Sequence, residues 1–348
     1  MLGLSPETRI KIEKKSSHFL RVLKQSIRPQ NENVLIITDY GHPDRNLSSM
    51  LGYGYYHAAK KKNYPTELVF QDVKKGFMQV DSHIVTALQN LSQPSIVILA
   101  TSNKLGRIGD EKSFRAFCKD HGHRFLSATG LGDVSPQYFD LFLDAMNVNY
   151  TRLAKKGLAI KKIWDKAKEI RVKTAAGTDL IFDVENKSAI ANIGCYHEQG
   201  EGGNMPAGEV YIAPRGIENV NGVVVIDGSI KTVDGAMLVK SPLTVVIENG
   251  HVIRMEGEHA PLLEKTFQAF EDRAKYPERV RFVSELGVGI NPAAVLIGSM
   301  IMDEKVLGTA HIAFGSNSWF GGDIKTIFHG DQVFKNPIFY VDGNKMEF

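Results

Sequence analysis

The sequence predicts an α/β N-terminal domain with a mainly parallel sheet, followed by an α+β, mostly antiparallel domain. Three observations carry that expectation. Short apolar runs alternate with helical patterns over the first half, strand-like runs crowd the second, and 348 residues exceed the size at which one hydrophobic core usually stops growing. Two domains are therefore expected, residues 1–160 and residues 161–348.

In the first half the apolar runs are Asn33–Thr38 (NVLIIT), Thr66–Phe70 (TELVF) and Ser95–Ala100 (SIVILA), with helical patterns at Met50–Lys62 and Glu111–His121. That alternation is the rhythm of a parallel sheet crossed by helices. From Pro136 to Arg171 the chain turns helical and basic, and this stretch carries it into the second domain. Strands are then expected at Glu169–Thr174, Asp179–Val184, Glu209–Ile212, Gly222–Asp227, Leu243–Asn249 and Val252–Glu256, with Asn249-Gly250 as a hairpin turn. A helix over Pro261–Tyr276 follows, then strands at Arg279–Val283, Gly308–Phe314, Lys325–Phe328 and Pro337–Val341.

Composition narrows the function classes. Hydrophobic residues at 43% and charged residues at 23% describe a globular chain, and 42 basic against 39 acidic residues leave too slight an excess to imply nucleic acid. Cys118 and Cys195 form neither a disulfide framework nor a thiolate metal site, so a cytoplasmic setting is expected. No stretch approaches the roughly 20 apolar residues that span a bilayer, and residues Met1–Lys15 lack the apolar stretch of a signal peptide, so no membrane partner is expected.

Five residues in the second half could share a metal site. His329 and Asp331 stand two apart in His329-Gly330-Asp331, which on a strand puts both on one face. His311 lies among small and apolar residues (GTAHIAFG), where a buried imidazole needs partners for both nitrogens. Glu285 is embedded in SELGVG, where a carboxylate is costly unless paired or metal-bound; Arg281 or Lys305 could be its partner. Glu209 follows a proline-glycine turn (NMPAGEVYIAP) that delivers it onto the first residue of a strand. Three carboxylates and two imidazoles suit one or two divalent ions.

These motifs, in this order, resemble the aminopeptidase T and aminopeptidase S family of metal-dependent leucyl aminopeptidases. RVKTAAGTDLIFDV, NMPAGEVYIAP, SELGVGINP, GTAHIAFG and HGD carry the resemblance over about 180 residues. It implies a metallo-aminopeptidase, a hydrolase in which two divalent ions (Zn, Co or Mn) held by Glu209, Glu285, His311, His329 and Asp331 activate water against the N-terminal bond of a peptide with a free N-terminus. A homodimer is also implied. His197 and Glu198, or Glu201, in CYHEQGEGGN are the nearest candidates to protonate the leaving amine, beside a catalytic Glu209. The family's tyrosine seven residues after the first ligand histidine is replaced by Ser318, next to Trp319, and only 18 residues separate His311 from His329.

A related group, the 2,5-dihydroxypyridine dioxygenases, is similar and nearer in length. That resemblance implies a mononuclear non-haem Fe(II) held by His311, His329 and Asp331. The extra carboxylates Glu209 and Glu285 make the two-metal hydrolase the expectation and ring cleavage the alternative, with a non-catalytic metal-binding module as a third class. Elsewhere, Asp39, His42 and Asp44 (TDYGHPDRN) read as a solvated loop that could reach substrate, and His121 and His123 as surface. Gly52, Gly54 and Gly130–Asp133 lack the setting of a dinucleotide fingerprint, so no nucleotide cofactor is expected.

Overall fold

The computed structural model describes residues 2–75, 78–109 and 113–347. The chain forms two compact units, Met1–Thr151 with Gly194–Ala207, and Arg152–Ile193 with Gly208–Phe348. Residue 160, the expected boundary, falls inside the helix Tyr150–Trp164, whose first two residues belong to the first unit.

In chain order the strands are β1 (Val34–Asp39), β2 (Thr66–Gln71), β3 (Ile96–Ala100), β4 (Arg124–Ala128), β5 (Glu169–Lys173), β6 (Asp179–Asp183), β7 (Ile190–Asn192), β8 (Gly202–Asn204) and β9 (Glu209–Ile212). Then come β10 (Val220–Ile226), β11 (Ser229–Thr232), β12 (Gly235–Leu238), β13 (Leu243–Glu248), β14 (His251–Glu256), β15 (Val283–Gly289), β16 (Thr309–Gly315), β17 (His329–Lys335), β18 (Ile338–Val341) and β19 (Asn344–Lys345).

The first unit is a parallel sheet of order β2-β1-β3-β4-β8. All six residues of β1 and all five of β3 are buried, as unbroken apolar runs require when helices cover both faces. The helix Leu47–Lys61 packs on this sheet so closely that a side chain on Gly52 would collide with Thr38. The helix expected at Glu111–His121 spans Phe114–Asp120; Glu111 and Lys112 lie outside the described residues.

The second unit holds two antiparallel sheets, β14-β13-β10-β6-β5-β18-β19 and β12-β11-β17-β16-β15-β9-β7. Strands β5 and β6 alternate buried Ile170 and Val172, Leu180 and Phe182 with partly exposed neighbours, the signature of a sheet with one covered face. Strands β15 and β16 are instead buried along all seven residues each. The fold class is as the sequence predicts. Among the described residues no helix is long and apolar enough to cross a membrane.

Two local expectations differ. Arg279–Val283 is not a strand: Pro277–Arg281 is a 3-10 turn, held where the Arg281 guanidinium meets Glu264 and Glu271, both at 2.6 Å, and β15 starts only at Val283. Lys325–Phe328 belongs to a loop whose backbone bonds run Ser316 N to Phe328 O and Asn317 N to Ile324 O, so the next strand starts at His329. Beyond these, β4 and β8 complete the parallel sheet without a sequence signal strong enough to predict them.

Candidate metal centre

Register brings the second unit's candidates together. Residues paired across antiparallel strands share a face, and Glu285 on β15, Ala313 on β16 and Asp331 on β17 form one such row. The next row contains Gly287, His311 and Val333, and the row on the other side pairs Gly315 with His329. Two small residues make the space. Ala313 separates the carboxylates of Glu285 and Asp331 with only a methyl group, and Gly287 lets the His311 ring lie across β15. A Cβ on Gly287 would stand 2.0 Å from His311 Nε2.

The donor atoms converge. His311 Nε2 lies 3.3 Å from Glu285 Oε1, while His329 Nε2 lies 3.8 Å from Glu285 Oε2 and 3.6 Å from Asp331 Oδ1. One donor atom each from Glu285, His311 and Asp331 fit within 4.8 Å of one another. His311 is wholly buried, Glu285 and Asp331 nearly so, and a quarter of the His329 side chain is exposed. His329 Nδ1 donates to the Ser316 carbonyl at 2.8 Å, and since a carbonyl can only accept, a proton sits on Nδ1 and Nε2 is the nitrogen that faces the cluster, a ligand atom once it gives up its own proton. His311 Nδ1 is buried with no hydrogen-bond partner among the described residues.

Electrostatics show how strongly these groups act on one another. Burial raises the Glu285 carboxyl, with Asp331 adding to the effect against the opposing pull of His311 and His329. Burial would lower both imidazoles, yet the Glu285 hydrogen bond and the nearby carboxylates hold His311 up at about 9, and Asp331 with Glu285 holds His329 at about 9. Asp331 is held well below the usual carboxylate range, because the charges of His329, His311 and Lys305 outweigh its burial. The raised imidazoles carry the protons that balance the carboxylates, and a bound cation would take the place of those protons. One imidazole and two carboxylates converge closely enough to share a single divalent ion of the first transition row, with His329 beside Glu285 and Asp331.

Glu209 belongs to a different arrangement. It is buried on the first residue of β9, as expected, but Lys305 Nζ lies 2.7 Å from its Oε1 and also contacts Glu304. Lys305 is fully buried, and the two glutamates hold its ammonium above the usual lysine range despite that burial. Burial pushes Glu304 up to about 8. Asn192 Nδ2 donates to Glu209 Oε1 at 3.4 Å, and the nearest approach of Glu209 to an imidazole is 3.9 Å, from Oε2 to His311 Nε2. A lysine ammonium therefore neutralises the carboxylate that the two-metal reading assigned to a second ion. Lys305 is not the partner of Glu285, and neither is Arg281.

The remaining candidates fall in the first unit. His197 Nε2 bonds to the Gln25 carbonyl at 3.1 Å, and the backbone N–H groups of His197 and Glu198 donate to Glu201 Oε2. Asp39 is not solvated: its carboxylate accepts from Gly41 N, Ser102 N, Ser48 Oγ and Ser102 Oγ in a buried network. His123 is likewise buried rather than at the surface, its Nδ1 accepting from Ser95 N.

Sequence reasoning did not find Asn317. It is fully buried, its Oδ1 accepts from Ile324 N at 2.8 Å, and its Nδ2 donates to the Ser284 carbonyl beside Glu285 at 2.9 Å. The Ser316–Phe328 loop is thereby clasped to the strand that carries a candidate ligand. An asparagine between two serines gives no periodic signal by which to single it out.

Residues 145–347 match the family model NicX, described as 2,5-dihydroxypyridine 5,6-dioxygenase. A protein of that description from Pseudomonas putida KT2440 is 25% identical over 195 residues, 53% of this chain and 54% of that protein, so the matched stretch spans about half the relative's length. Two solved structures share the fold. The 2,5-dihydroxypyridine dioxygenase from Pseudomonas putida KT2440 superposes with a TM-score of 0.72 at 19% identity, covering 97% of this chain and 95% of that one. Wild-type AmpT from Thermus thermophilus gives 0.63 at 12% identity, covering 96% and 97%.

These findings correct the expected metallo-aminopeptidase. The matching family and the curated relative are dioxygenases, which are oxidoreductases, so the hydrolase and protease descriptions do not stand. The acid roles expected of His197 and Glu198 lapse with the peptide chemistry that required them.

Proposed function

The chain belongs to the 2,5-dihydroxypyridine 5,6-dioxygenase family, and from that premise we propose that it is a ring-cleaving dioxygenase working with one Fe(II) ion on a dihydroxylated nitrogen heteroaromatic. The observation that carries this reading is the division of labour among the buried carboxylates. Among the described residues Glu285 and Asp331 have imidazoles and no lysine or arginine within ion-pair distance, although the charge of Lys305 reaches Asp331, whereas Glu209 is paired directly with Lys305. That leaves one ion's worth of ligands, the set typical of non-haem iron oxygenases, extended by a second carboxylate.

Glu285, His311, His329 and Asp331 would hold the ion. When bound, Fe(II) supplies the redox capacity and the open coordination positions that dioxygen and a chelating diol need. The protein's own contribution is positional. The Ser316 carbonyl fixes the His329 tautomer, Gly287 lets His311 reach across its neighbouring strand, and Asn317 clamps the loop beside β15. Burial of His311, Glu285 and Asp331 keeps water from competing for the donors. The overall change adds both atoms of O2 to the ring and breaks the carbon–carbon bond between positions 5 and 6. The substrate is the reductant, so no external electron donor is needed.

The test compares Zn-, Mn- and Fe(II)-loaded protein on 2,5-dihydroxypyridine and on unblocked leucyl peptides, following oxygen uptake and amine release. Oxygen-dependent loss of the heteroaromatic by the iron form alone is the expected result. Peptide cleavage without oxygen consumption would overturn the reading.

A further inference from the structure

Trp319 is 59% exposed, the most exposed large hydrophobic side chain among the described residues, yet its loop is not free to move. Besides the Asn317 clasp, Phe320 N and Gly322 N donate to the Asn317 carbonyl. A side chain on Gly322 would collide with Asn317, and Lys187 Nζ donates to Gly321 O at 3.0 Å and to Asp323 Oδ2 at 2.9 Å. Gly216 N also donates to Asp323 Oδ2. The indole is therefore held in solvent by a fixed scaffold, where an unstrained loop would let it fold inward.

Its position is equally specific. The Trp319 ring meets the His329 imidazole edge to face at a centroid distance of 4.8 Å and Phe320 at 5.3 Å, and Phe320 in turn meets Tyr211 at 5.2 Å. Tyr211 shares the row of Gly287 and His311. An aromatic wall thus runs along the partly exposed side of the cluster, beside the one imidazole that solvent reaches. A flat molecule seated against that imidazole meets the indole within the 4.5–7 Å range, roughly, at which aromatic rings attract each other.

We infer that Trp319 is the face against which the substrate's aromatic ring lies, making it a specificity-determining residue for planar aromatic chelators over saturated ones. The inference rests on the proposed ring-cleaving function. Zinc-loaded full-length protein, which binds without turnover, is titrated by calorimetry with 2,5-dihydroxypyridine and with a saturated hydroxy acid that chelates equally well. Metal affinity is measured in parallel. Trp319→Ala should weaken the dihydroxypyridine by about 5- to 100-fold, the range for loss of one stacking partner. Trp319→Phe should recover most of that loss, while the hydroxy acid and the metal bind as in the wild type. Equal weakening of both ligands, or a fall in metal affinity, would show that Trp319 only supports His329 and would overturn the inference. Unchanged dihydroxypyridine affinity in Trp319→Ala, including the case where that variant alters self-association instead, would overturn it too. Failure of the wild-type protein to bind any dihydroxypyridine would remove the functional reading along with it.

Discussion

Two groups of buried carboxylates in this protein differ in what satisfies them. Around Asp39 in the first unit, two backbone N–H groups and two serine hydroxyls donate to one carboxylate. Around Glu285 and Asp331 in the second unit, the nearest polar neighbours are imidazoles at 3.3 to 3.8 Å. The first set is complete within the chain and holds the end of β1 to its neighbours. In the proposed function the second would be completed by a cation. Between these extremes stands Glu209, which has the same chemistry as Glu285 but receives a lysine at 2.7 Å. Burial alone does not mark a metal ligand; burial without enough donors of the protein's own does.

The comparison breaks most visibly at the ligands. His329→Ala or Asp331→Ala should lose the bound metal and lower turnover by more than ~100-fold, beyond the 10- to 100-fold typical of outer-shell losses. Both should keep the far-ultraviolet circular dichroism of the folded chain. Retention of wild-type metal content in both variants would remove the cluster from consideration.

Replacing the lysine tests the middle case. Lys305→Met leaves Glu209 and Glu304 buried without their counter-charge, which should cost about 3–5 kcal/mol in urea unfolding. Lys305→Met/Glu209→Gln should recover part of it. A single variant as stable as the wild type would mean that Lys305 is not what neutralises Glu209.

The effect on metal binding is smallest at the self-sufficient cluster. Asp39→Ala strands buried donors and should destabilise by about 1–3 kcal/mol per donor left without water or a new partner. Metal content should not change. A loss of metal in Asp39→Ala would erase the distinction between the two clusters.

Much of the second unit was legible in the sequence because its signals are physical. His329-Gly330-Asp331 has the period of a strand, and His311 and Glu285 are embedded in apolar and glycine residues where ionisable groups need a reason to be. Asn249-Gly250, with φ of 47° and 75°, forms the predicted hairpin turn between β13 and β14. What the sequence withheld are pairings. Nothing in Lys305 says whether it reaches Glu285 or Glu209, and that one choice separates one metal from two. The apolar run Lys325–Phe328 reads as a strand because periodicity is blind to Asn317, whose side chain diverts the neighbouring backbone bonds into a loop. The return of Gly194–Ala207 to the first unit, where β8 extends the parallel sheet, depends on a three-residue strand rich in glycine. Substrate class was not legible from ligand chemistry at all, since the same residue types serve hydrolysis and oxygenation.

The central claim is that this chain binds one ion, with Lys305 occupying the place of a second. Metal analysis of protein purified without added metal, repeated after dialysis against excess zinc, tests it most directly. The account predicts one ion per chain in both samples, with iron in the first. Two ions per chain in the wild-type protein after dialysis, with Glu209→Ala reducing the number to one, would contradict it.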